Sequence, residues 1–311
     1  MSRAVRAVRT VLGDLDPAEL GVCDAHDHLF LRSPLLPGQE LDDPQAAAAE
    51  LAAFRVAGGQ AVVQWTPYGM GRHAAELAEL SRRSGVHLVA ATGLHQAAHY
   101  ERPLTADRYR ELAALFVAEL TEGIHGNGPR AGMIKVAGGY HGLDEHARRV
   151  MTAAAEAHHA TGAPIGVHHE LGTGALDVLE LLCGRLGVPP QCVVLGHLNR
   201  FPDLRVHREA AEAGAYLAFD GPSRANHATD WRLLDGIAAL VEAGHGDRLL
   251  LGGDTTTAAA RSATGGGPGM PYLLTGLRPR LVRELGEEQT DLILRANPAR
   301  AFAVEWRSPA L

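Results

Sequence analysis

The sequence predicts an α/β fold, a (β/α)8 TIM barrel entered through a short N-terminal β-hairpin. Three observations carry this expectation. Eight short apolar runs recur along the 311 residues, and they do not alternate apolar with polar, as expected of parallel strands covered by helices. Stretches of helical length separate them, so that strand and helix follow one another eight times, the count of a barrel. Side chains able to do chemistry gather at the C-terminal ends of the runs, the face on which barrels carry their sites.

Residues 5–12 read as extended and, with 18–25, form the hairpin. The first strand runs from Val22 to Ala25. A helix over about 44–57 leads to the second strand, 61–65, and another over about 72–84 leads to the third, 86–92. The fourth strand, 132–137, follows a helix at about 105–122. The fifth, 164–168, follows one at about 144–161, and the sixth, 192–197, follows one at 173–187. Helices at about 203–213 and 230–244 lead to the seventh strand, 215–220, and the eighth, 248–254. A last helix or two follow Met270. The rival, a doubly wound open sheet, lacks the Gly-x-Gly-x-x-Gly turn expected after its first strand. No Pro-, Gly- or Ser-rich linker interrupts the middle of the chain, so residues 1–311 read as one barrel domain. The Gly265–Gly269 run lacks the Lys-Ser/Thr of a phosphate cradle and reads as a mobile loop on the active face.

Bulk properties exclude several classes. With 46% hydrophobic residues the chain can bury a large core, and its net charge of -7 without a Lys/Arg cluster excludes a nucleic-acid partner. Cys23, Cys183 and Cys192 are too few and scattered for a disulfide framework or a cysteine-rich zinc site, which fits a reducing cytoplasmic setting. No run approaches the roughly 20 apolar residues of a membrane span, and the basic N-terminus has no apolar segment behind it. The 17 histidines point to metal or proton chemistry, although surface histidines are the commoner explanation of such a count.

The strand ends supply the chemistry. His26 and His28 lie one residue apart at the end of the first strand, so they share a face. Lys135 comes from the fourth strand, His168 from the fifth, His197 from the sixth and Asp254 from the eighth. Any one of them has an ordinary structural explanation: a core histidine satisfied by a carbonyl, a lysine paired with a carboxylate, an aspartate capping the next helix. Six at five strand ends favour two divalent metal ions, one taking His26, His28 and Asp254, the other His168 and His197. Zinc is the first expectation, with manganese, cobalt or iron as alternatives. An ammonium cannot ligate a cation. Lys135 joins the set only as an N6-carboxylated lysine, whose two oxygens bridge both ions and offset their charge. Its apolar neighbours Met133, Ile134, Val136 and Ala137 favour the neutral amine that reacts with carbon dioxide.

His26-x-His28, Ile134-Lys135-Val136, Gly166-Val-His168, Val-Leu-Gly-His197, Gly-Gly-Asp254 and the late Asn297-Pro-Ala-Arg300 together resemble the phosphotriesterase family of the amidohydrolase superfamily, from about residue 8 to 303. The resemblance implies a binuclear metal hydrolase with those six ligands. It also implies attack by a metal-bridging hydroxide on a phosphorus or carbonyl centre, with Asp254 taking the proton. Two positions depart from the family pattern. Asp220 is followed by Gly221 where phosphotriesterases place a histidine, and Thr92-Gly-Leu is followed by His95 where lactonases place a tyrosine. The glycine-rich stretch after Asp254 looks more like the phosphotriesterase homology proteins. The bond cleaved is accordingly a lactone, carboxylic ester or phosphotriester.

Substrate contacts are expected just beyond the strand ends, from His95, Arg224, Trp65 and Tyr100, with His169 nearby and with His99 and His141 facing water. The expected partner is a small-molecule substrate, and the resemblance suggests a homodimer. The sequence also admits two other readings: a lyase of the aldolase type using a Lys135 Schiff base, which leaves four histidines and Asp254 idle, and a non-catalytic metal-binding barrel.

Overall fold

The computed structural model describes residues 6–126, 128–221 and 228–308. Eight parallel strands form the barrel: β3 (Cys23–Asp27), β4 (Ala61–Gln64), β5 (His87–Gly93), β6 (Met133–Ala137), β7 (Ile165–His168), β8 (Val193–Gly196), β9 (Tyr216–Asp220) and β10 (Leu249–Gly252). They are hydrogen-bonded in chain order from β3 to β10. The ladder carries Lys135 level with Gly166 and Val194, and His168 level with Gly196 and Ala218.

Helices α1 (Pro44–Val56), α2 (Ala74–Ser84), α3 (Ala106–Thr121), α4 (Glu145–Thr161), α5 (Ala175–Leu179), α6 (Leu204–Glu212), α7 (Leu233–Glu242), α8 (Arg278–Asp291) and α9 (Asn297–Phe302) wrap the outside. Several begin where an aspartate or threonine side chain takes the free N–H groups of the first turn, as Asp43, Thr105, Asp144 and Asp203 do. The helix expected over 173–187 is α5 followed by a widened, π-helical continuation over Glu180–Arg185. Among the described residues no helix is long and apolar enough to cross a membrane.

The N-terminal hairpin is smaller than the sequence suggests. β1 (Ala7–Thr10) pairs antiparallel with β2 (Gly13–Leu15), not with 18–25, and β11 (Ala303–Val304) adds a third strand. The turn closes early because Thr10 Oγ1 donates to Gly13 O and accepts from Leu12 N. Asp16 then caps a 3-10 turn over Pro17–Glu19, so the chain leaves the extended state before it enters β3.

The core has two layers. Between barrel and helices lie residues such as Leu51, Phe54, Leu77, Phe116, Met151, Leu182, Ile237 and Leu281. Inside the barrel are Ala25, Val63, Trp65, Val89, Ala91, Met133, Val194, Ala218 and Leu250. The seam between β3 and β10 is closed by irregular contacts. Asp254 N donates to His26 O at 2.9 Å, Gly253 N to Asp24 Oδ1 at 3.1 Å, and Thr255 N to Asp27 Oδ1 at 2.8 Å. A Cβ on Gly252 would stand 2.5 Å from His26 O, so only glycine permits this approach.

The Gly265–Gly269 loop is tethered rather than free. The Glu50 carboxylate, fully buried on α1, accepts from Ser262 N (3.2 Å), Ala263 N (3.0 Å) and Met270 N (2.9 Å). Replacing Glu50 with alanine leaves three backbone N–H groups and the Ser262 hydroxyl without their acceptor. Glu50→Ala is expected to lower unfolding free energy in urea by about 3 kcal/mol or more, and to speed hydrogen exchange at those three amides. A loss below about 1 kcal/mol would mean that water replaces the carboxylate at no cost.

Candidate metal centre

The barrel's C-terminal mouth encloses a cavity of about 380 Å3, lined by His26, His28, Lys135, His168, His197 and Asp254 together. All six residues expected from the sequence therefore converge. His26, His28 and Asp254 bring potential ligand atoms within 4.8 Å of one another, with Asp254 Oδ1 lying 3.7 Å from His26 Nε2 and 3.5 Å from His28 Nε2. The rings of His168 and His197 meet at 4.4 Å. His197 and Asp254 both take left-handed backbone conformations, φ 64° and 53°, uncommon for non-glycine residues and concentrated at functional sites.

Each imidazole is oriented by a neighbour. His28 Nδ1 donates to Thr66 Oγ1 at 2.7 Å, because the Thr66 proton goes to Phe30 O at 2.5 Å. Nε2 of His28 is thereby left as a bare lone pair beside Asp254. His197 Nδ1 donates to Asp220 Oδ2 at 2.5 Å, and His168 Nε2 to Glu170 Oε2 at 3.1 Å. His26 Nδ1 stands 3.1 Å from Asp220 Oδ1, out of line for a hydrogen bond. Its ring stacks on Trp65 at 3.9 Å. His26, His197 and Asp220 form a second compact group. The short His197–Asp220 bond makes Asp220 the carboxylate that aims the His197 ring, as carboxylates behind metal-binding histidines commonly do.

Electrostatics keep the donors in ligand form. Burial pulls His28 and His168 down to about 4, so both are neutral at pH 7. Burial likewise drives His197 well below the usual imidazole range, with Arg200 adding to the effect. Asp254 moves the other way: burial opposes its ionisation, but the Arg200 guanidinium against it holds the carboxyl well below its ordinary value. Burial lowers Lys135 to about 7, so a large fraction of this amine is neutral.

The expected substrate contacts fare unevenly. His95 lines the cavity beside Lys135 and His168. Its Nδ1 accepts from Gln96 N at 2.7 Å, so Nε2 carries the ring proton. His99, expected to face water, is half-buried at the cavity wall, its ring tilted against His95 at 4.0 Å and bonded to Ser33. Tyr100 acts at one remove: its hydroxyl accepts from His95 N and donates to Tyr68 O. His169 is fully buried, with Nδ1 on Thr173 O, and His141 is exposed. Arg224 lies outside the described residues.

Trp65 is not a substrate contact. It is fully buried inside the barrel with Nε1 donating to Ala25 O at 2.8 Å. The alternation that sends Ala61 and Val63 inward sends Trp65 inward too. Space for its ring comes from Gly166 and Gly196, where an added Cβ would stand 3.0 and 3.2 Å from the indole. Those two glycines, each close before a histidine of the site, were the signal in the sequence that a large ring fills the barrel below it. Asp220, Thr66, Glu170 and Arg200 were not expected as site residues.

A model of the phosphotriesterase family matches residues 6–302. A phospho-furanose lactonase of Mycoplasmopsis synoviae is 30% identical over 325 residues, covering 96% of this chain and 92% of that protein. The phosphotriesterase homology protein of Escherichia coli is 31% identical over 284 residues, covering 89% and 96%. The crystal structure of a lactonase from Listeria monocytogenes superposes with a TM-score of 0.89 at 27% identity, covering 95% of this chain and 98% of that one.

Removing the indole should open a void under His26. Trp65→Ala is expected to cost about 3–5 kcal/mol of stability by chemical denaturation, whereas a substrate contact at the surface would cost less than about 0.5 kcal/mol.

Proposed function

This chain belongs to the phosphotriesterase family, and we propose that it is a binuclear metal-dependent hydrolase cleaving a lactone, carboxylic ester or phosphotriester. Its ligand set is His26, His28, Lys135, His168, His197 and Asp254. Hydrolysis of ester-type bonds follows from the family. The two-ion centre, the carboxylated lysine and the residue roles are the proposal.

One observation carries it. Among these imidazoles, His28, His168 and His197 each have one nitrogen tied to Thr66, Glu170 or Asp220, and the other nitrogen is left with its lone pair. Neutral imidazoles with fixed tautomers and an ionised Asp254 fit divalent cations such as zinc. Lys135 fits as a carbamate precursor. In the neutral amine Nζ bonds to the carbon of carbon dioxide and releases one proton, giving an anion with two oxygens. The same neutral amine could attack a carbonyl substrate, but a Schiff base gives the oriented imidazoles no task.

Divalent ions held by these six residues would supply a nucleophilic water of lowered pKa and a Lewis acid for the carbonyl or phosphoryl oxygen. The chain's own groups do the rest. Asp254, held anionic, accepts the proton released as the nucleophile attacks. His95 offers Nε2–H to a substrate oxygen, and the Tyr100 hydroxyl under its backbone N–H fixes its place. Leu31, Leu36 and Met70 line the cavity and shed water around the reacting bond.

Three tests follow. Protein purified without chelator is expected to carry about two divalent ions per chain and to lose lactone or ester hydrolysis on chelation. Fewer than one tightly bound ion with activity intact would sink the reading. Asp220→Asn should weaken metal affinity about 10–100-fold in a chelator competition; an unchanged affinity would remove Asp220 from the support of the site. Reactivation of stripped protein by metal should need bicarbonate. Since the amine reacts only when neutral and burial lowers Lys135 to about 7, reactivation at a fixed concentration of dissolved carbon dioxide should be faster at pH 8 than at pH 6. Equal rates with and without bicarbonate would rule out the carbamate.

A further inference from the structure

Arg200 ends the turn after β8 and lines the cavity, its side chain 10% exposed. Its guanidinium lies between the two carboxylates of the site: Nη2 donates to Asp254 and stands 3.3 Å from Asp220 Oδ2. Those contacts use one of its three nitrogens. Nε is buried and has no hydrogen-bond partner. Nη1 has none among the described residues either but, unlike Nε, is not sealed from the cavity. A counter-ion for two carboxylates could be a lysine; a planar guanidinium with an unused nitrogen at the cavity wall suits an oxyanion. Leu31, Leu35 and Met70 line the same cavity.

We propose that Arg200 is a specificity residue for substrates that carry an anionic group, a carboxylate, phosphate or sulfonate, beside the bond to be cleaved. Nη1 donates to that group while Nη2 keeps its hold on Asp254. The inference rests on the hydrolase reading for the bond that is broken but not for the charge that is recognised, and the two fail separately. The cavity volume of about 380 Å3 restricts the substrate to a compact molecule.

The test uses a matched pair, 5-oxotetrahydrofuran-2-carboxylate and its carboxamide, which differ in charge and little in shape. Binding to the metal-loaded protein is followed by calorimetry and turnover by hydroxy-acid release, for the natural chain, Arg200→Lys and Arg200→Gln. Metal content is measured on each, because Arg200 touches Asp254. The natural chain is expected to bind the carboxylate roughly 10–100-fold more tightly than the amide. Arg200→Gln should abolish most of that ratio in Kd and KM, whatever it also costs kcat on both members through Asp254, and Arg200→Lys should restore part of it. The same charge preference without turnover would support the role of Arg200 while removing the lactonase reading. Equal binding of both members by the natural chain would overturn the inference. So would a loss in Arg200→Gln that falls equally on both members, which would mark Arg200 as a support for Asp254 alone.

Discussion

The seam where the last barrel strand meets the first governs the rest of the structure. β3 and β10 are joined mainly by side chains and backbone that the strand pattern alone would not pair: Asp24 receives Gly253 N, Asp27 receives Thr255 N, and His26 O receives Asp254 N. These bonds close the barrel and place Asp254 opposite His26 and His28 in a single act. Burial raises both Asp24 and Asp27, so two carboxyls that resist ionisation are kept at the seam by the backbone N–H groups they satisfy. Stability and site geometry are one constraint here, and the left-handed backbone at Asp254 is its local cost.

Below the seam the barrel is solid. Trp65 fills its centre, stacks under His26 and is accommodated by two glycines. Above it the polar groups are layered: one row of side chains with free lone pairs, and a row behind made of Thr66, Asp220 and Glu170 that sets which nitrogen is free. Neutral imidazoles are the product of burial, anionic Asp254 the product of neighbouring positive charge. The centre thus has opposite electrostatic requirements met within one cavity, which is why Arg200 stands against both Asp254 and Asp220.

Much of this was legible in the sequence. The eight strands declared themselves as short apolar runs, and the six converging residues stand at or near strand ends, where side-chain direction follows from backbone position. The remainder depends on space rather than on order along the chain. Thr66 matters because the fold brings it to His28 from 38 positions away, and Asp220 because it meets His197 from 23. Trp65 was misassigned because a residue just past a strand still obeys its alternation, and the room for its ring is made by glycines on β7 and β8. The hairpin was overestimated because Thr10 and Gly13 close the turn early, and the glycine-rich loop is held by a carboxylate more than 200 positions earlier.

The central claim is that four histidines, Asp254 and a carboxylated Lys135 bind two divalent ions. Its most direct test is a crystal structure of protein prepared without chelator, with anomalous data at the metal absorption edge. The account predicts two anomalous peaks inside the barrel mouth, one near His26 and His28 and one near His168 and His197, with continuous density extending from Lys135 Nζ between them. A single peak, or two peaks with an unmodified Lys135 amine, would contradict it.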